Sequence, residues 1–141
     1  MNNRKSIEKI LQKLGIIYST EQMIKNDVTI DMYFISFIAD NFIMKGGILD
    51  GGASDDRHIS ILFFFESSLL GCQEDEVLSK VNNYNLSCKY GNFTYDGTDI
   101  NYRLSIPAIN NDLVSENVIE FYLKRVISVL KEVAEELADE G

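Results

Sequence analysis

A chain of 141 residues with 45% hydrophobic, 11% aromatic and 25% charged residues has the makeup of one globular domain, which excludes disorder, collagen-like repeats and a disulfide mini-scaffold. Thirteen Lys and Arg against twenty-two Asp and Glu leave a net charge of -9 and a pI near 4.5. The field as a whole repels phosphate backbones and anionic membrane surfaces, so neither nucleic acid nor membrane is an expected partner.

In chain order, Ile7, Ile10, Leu11 and Leu14 fall on one face of a helix over residues 4–14, which Gly15 closes. Ile16 to Tyr18 reads as a short strand, followed by a polar segment from Ser19 to Asp27. Val28–Ile38, Phe42–Leu49 and Ile59–Glu66 are dense in β-branched and aromatic residues, and turn signals at 39–41 and 50–56 separate them into an antiparallel meander. Ile59, Ile61, Phe63 and Phe65 share one face of the last strand, and Ser60, Leu62 and Phe64 the other; a strand apolar on both faces is central. The acidic turn Glu74-Asp75-Glu76 opens a second helix over 74–87, with Val77, Val81 and Tyr84 at helical spacing. Phe93 and Tyr95, the Asp96-Gly97 turn, and Ile100, Tyr102, Leu104 and Ile106 give a hairpin that Pro107 ends. Ser115 caps a long helix over 115–138, with Val114 and Ile119 as a staple and Ile119, Leu123, Val126, Leu130, Val133 and Leu137 as its apolar face. Helix, meander, helix, hairpin, helix over residues 1–141 is one α+β domain: an antiparallel sheet packed by N-terminal, middle and C-terminal helices.

Several arrangements that suggest chemistry fall short of it. His58 has no GxSxG-type elbow to serve. In Asp55-Asp56-Arg57-His58 adjacent side chains entering a strand point to opposite faces and cannot converge on one metal. Gly46-Gly47 and Gly51-Gly52 lack the Gly-Lys-Ser/Thr and the helix N-terminus of a phosphate loop, and so read as bulge and turn glycines. Ser6-Ile7-Glu8-Lys9 matches SxxK without its companion motifs. Cys72 and Cys88 form no CxxC and read as reduced thiols, which fits a cytoplasmic setting. No catalytic, cofactor-binding or metal-binding residue is therefore assigned, and no cofactor or enzymatic activity is expected. Three asparagines in four positions, Asn82, Asn83 and Asn85, need a reason in a helix; the structural one is that they bond unpaired backbone groups at the helix end, and the functional one is a polar pocket beside Tyr84 and Tyr90. The first helix is basic (Arg4, Lys5, Lys9, Lys13) and the C-terminus acidic (Glu132, Glu135, Glu136, Asp139, Glu140), so these ends are candidates to attract each other or a partner.

Val81-Asn82-Asn83-Tyr84-Asn85, then Lys89-Tyr90-Gly91-Asn92-Phe93 leading into an Asp-Gly hairpin, then Ser115-Glu116 opening the long helix, together resemble the YbjN-type bacterial family of sensory transduction regulators. The resemblance covers the second half of the chain, while residues 1–70 share only the order of elements. It implies a type III secretion chaperone-like fold and, as with such chaperones, a homodimer that holds another polypeptide. It brings no catalytic residue.

The functional expectation is a non-enzymatic, chaperone-like protein-binding module of a bacterial cytoplasm. The alternative is an acidic inhibitor or immunity-type protein whose carboxylates match a basic target. Aromatics exceed what one sheet face needs, and Tyr33, Ile35, Phe37, Leu62 and Phe64, taken as alternating opposite the Ile61-Phe63-Phe65 face, are the candidate partner-binding residues.

Overall fold

Strands rich in Ile, Phe, Tyr and Met need cover on at least one face, and three amphipathic helices supply it. The computed structural model of the protein describes residues 3–39, 42–51, 57–66, 73–87, 91–108 and 114–140. The elements are α1 (Arg4–Lys13), β1 (Tyr18–Lys25), β2 (Val28–Ala39), β3 (Phe42–Gly51), β4 (His58–Glu66), α2 (Glu74–Ser87), β5 (Asn92–Tyr95), β6 (Asp99–Pro107) and α3 (Glu116–Glu140). All six strands form one antiparallel sheet in the order β1-β2-β3-β4-β6-β5. This is the expected α+β architecture, with β4 central and β6 inserted between it and β5.

One element differs from expectation. The segment read as a polar connection is β1, paired in unbroken register with β2 from Tyr18↔Ile35 to Lys25↔Val28. Asn26 and Asp27 make the turn with φ of 52° and 63°, the left-handed pair that a two-residue hairpin loop requires. Exposed along almost its whole length, β1 has no buried face to impose alternation on its sequence.

The helix-covered face follows from the register. Cross-strand rows such as Tyr33–Ile48–Ile61–Leu104 and Ile35–Gly46–Phe63–Tyr102–Phe93 run beneath the helices, and nearly all of these side chains are buried. Against them lie Ile7, Ile10 and Leu11 of α1, Val77 and Val81 of α2, and Ile119, Leu123, Val126, Leu130, Val133 and Ala134 of α3. Helix ends are closed as expected. The Ile16 N–H donates to the Leu11 carbonyl at 2.9 Å around Gly15, whose φ is +69°, and the Val118 N–H donates to Ser115 Oγ at 3.3 Å. The basic α1 is bonded to the first half of α3: Lys9 reaches Glu116 at 3.2 Å and Lys13 reaches Glu120 at 3.0 Å.

Candidate functional site

With all three helices on one face, the other face of the sheet carries the side chains of opposite parity. Its central row is Phe34–Gly47–Leu62–Arg103; Met32–Leu49–Ser60–Ser105 and Ser36–Lys45–Phe64–Asn101 flank it. Among the described residues no helix packs on these rows. Phe34 is 46% exposed, and Ile38 and Ile43, paired at one end of the same face, are 71% and 54% exposed. Together with Ile17, Met32, Leu49, Leu62 and Phe64, Phe34 lines an open groove of about 790 Å³. Exposed apolar side chains thus lie next to one another along this face rather than singly.

Gly47 forms the gap between Phe34 and Leu62. Both it and Gly46 lie inside β3, within the strand expected over Phe42–Leu49, and in unbroken register rather than at a bulge. A Cβ at Gly46 would fall 1.9 Å from the Leu62 carbonyl oxygen, and one at Gly47 1.7 Å from that of Tyr33. The close approach of the neighbouring backbones excludes a side chain at either position, and on the open face the missing side chain of Gly47 leaves a trough between Phe34 and Leu62.

The five candidate residues do not share a face. Leu62 and Phe64 are on the open face, lining the groove. Tyr33 and Ile35 are buried under the helices, 2% and 3% exposed, and Phe37 is half-buried with its ring edge-on to Phe63 at 5.2 Å. The cause is one residue in a turn. Taking 39–41 as the loop sets Ile38 opposite Phe42, whereas the structure pairs Ala39 with Phe42 across a two-residue connection, and a shift of one residue turns every side chain of a strand over. Met32 and Phe34 therefore present their side chains on the open face where those of Tyr33, Ile35 and Phe37 were expected, while Tyr33 and Ile35 border the groove with their side chains turned to the core. Because β2 is apolar on both faces, its own alternation does not choose between them; the connection length does.

Polar groups gather at one end of the covered face. Asp31 and Asp50, opposite each other on β2 and β3, are both buried. The Asn3 backbone N–H and Nδ2 donate to the two Asp50 oxygens at 2.8 and 3.3 Å, Arg57 lies 3.8 Å from that carboxylate, and Gln22 Nε2 donates to Asp31 at 2.8 Å. Asn3 Oδ1 in turn accepts the Val114 N–H at 2.8 Å. The network ties the start of α1 and the approach to α3 onto the sheet, with every hydrogen bond used for position. The nearby Tyr33 hydroxyl has no protein partner among the described residues, and burial, then Asp31 and Asp50, push its pKa well above the ordinary tyrosine value.

Asn85 takes the structural role. Its Nδ2 donates to the Phe93 carbonyl at 2.8 Å and its Oδ1 accepts the Phe93 N–H at 2.6 Å, although Asn85, like Asn82 and Asn83, is an exposed residue. Tyr84 packs on Phe93 and donates to Glu136 at 2.6 Å; burial first, then that bond, raises its pKa. His58 stands opposite Gly51 and Pro107 at the start of β4, and among the described residues no group of three His, Cys, Asp or Glu is placed to hold a metal. Asp55, Asp56, Gly52, Cys72, Cys88, Tyr90 and the Leu137 side chain lie outside the described residues. Among the described residues no helix is long and apolar enough to cross a membrane. Comparison with known protein families, with curated proteins and with solved structures finds no match.

Proposed function

We propose that the chain is a non-enzymatic, chaperone-like protein-binding module that holds another polypeptide on the open face of its sheet. The observation that carries this reading is the apolar groove running from Ile17 through Phe34 and Gly47 to Leu62 and Phe64, opposite the face that all three helices cover. Aromatic and branched side chains bury much area there for few frozen torsions, so two or three can supply most of the binding energy. Lys45 and Arg103 at its rim orient a partner. The acidic-inhibitor reading has less support, because the groove itself is apolar; it would require strongly salt-dependent capture.

The test replaces Phe34 and Phe64 together by Ser and compares the variant with wild type in affinity capture from the native host. Because both side chains face away from the helices, the melting temperature is expected to move little while capture of the wild-type partner is lost. Undiminished capture by the folded variant overturns the reading.

A further inference from the structure

The sheet has two unequal edges. β5 closes one with four residues, whereas β1 presents eight, in unbroken register, without Pro, Gly or bulge. A long unbroken edge of this kind is a template for another strand, and natural sheets blunt such edges unless they are used. Met23 is 41% exposed on the open face and Ile24 75% exposed on the other, so the end of β1 leaves apolar surface uncovered on both sides.

The charges of β1 indicate what covers it. It carries two, Glu21 and Lys25, of opposite sign, both directed to the open face with Met23 midway between them. Neither is in an ion pair among the described residues. When two copies pair antiparallel about a two-fold axis normal to the sheet, facing residues lie on the same side, so only registers centred on a residue are allowed. Centred on Glu21, like charges meet. Centred on Gln22, Glu21 meets the partner's Met23 and Lys25 meets the partner's Ser19. Centred on Met23, Glu21 meets the partner's Lys25 twice, once on each side of the axis, and Met23 packs on the partner's Met23.

We propose that a second copy of this chain pairs with the first through β1, in the register centred on Met23, joining two six-stranded sheets into one whose open face runs on across both copies. This does not rest on what the groove holds, since the pairing uses the edge and leaves the groove free. Opposite charges directly across a strand pair stabilise it and like charges destabilise it. Glu21→Lys or Lys25→Glu alone is therefore expected to weaken dimerisation by about tenfold or more in sedimentation, and the double exchange, which keeps the composition, to restore it. In a Cys72→Ser/Cys88→Ser background, Met23→Cys is expected to form a covalent dimer on mild oxidation and Ser19→Cys, displaced from the axis, to form none. A wild-type chain monomeric at all micromolar concentrations overturns the proposal. So does a dimer indifferent to the charge exchanges, and so does cross-linking as efficient at residue 19 as at residue 23, an arm that holds even where a charge variant fails to fold.

Discussion

Asn85 holds the end of α2 to β5 by giving both sides of its amide to the backbone of Phe93, the arrangement a neighbouring strand would offer. Removing it leaves the Phe93 N–H and carbonyl to water at a partly buried site, so Asn85→Ala is expected to cost about 1 kcal/mol in urea melts. Asn82→Ala, on an exposed helix face, is expected to stay within roughly 0.5 kcal/mol. This role was legible from the sequence as a helix-end cluster, though not which of the three asparagines carries it. The Asn3–Asp50 bonds were not legible. The two residues are 47 positions apart, and Asp50 beside Gly51 reads as a turn residue until the register of β3 places it next to the start of α1.

For the elements, apolar periodicity located α1, β2, β3, β4, α2, both hairpin strands and α3 to within a few residues, because each has a face that must be buried. It missed most of β1, whose residues bury almost nothing, and it could not orient β2, which carries apolar residues on both faces. The crossing of α1 and α3 gives a pH-dependent prediction. Glu120 accepts from Lys13 and Lys124, and these bonds, Lys13 first, hold its carboxyl below the ordinary glutamate value. A lowered folded-state pKa means a contribution fully present above the unfolded value of about 4.3 and lost as pH falls through the folded one. The melting temperature of Glu120→Gln is therefore expected to fall less steeply than that of wild type below about pH 5.

Over the whole molecule, the placement of every helix on one side makes the sheet itself the boundary between a buried core and an apolar surface. A hydrophobic fluorescent dye is accordingly expected to bind the native state. Paired Phe34→Ser and Phe64→Ser substitutions should abolish most of that signal, whereas Val118→Ser, a partly exposed side chain on α3 away from the sheet, should not. Equal dye binding by all three proteins would place the apolar surface elsewhere.

The insertion of β6 between β4 and β5 also sets a delay during synthesis. β4 leaves the ribosome with only its β3 side paired, and Phe63 waits for Tyr102 about forty residues downstream, on the order of 2–8 s at roughly 5–20 residues per second. α1, made first, waits longer still for α3, the helix it packs against. The nascent meander thus carries a central, apolar strand of the protein as a temporary edge, and this interval, before β6 arrives, is when the chain is most open to pairing with the wrong strand.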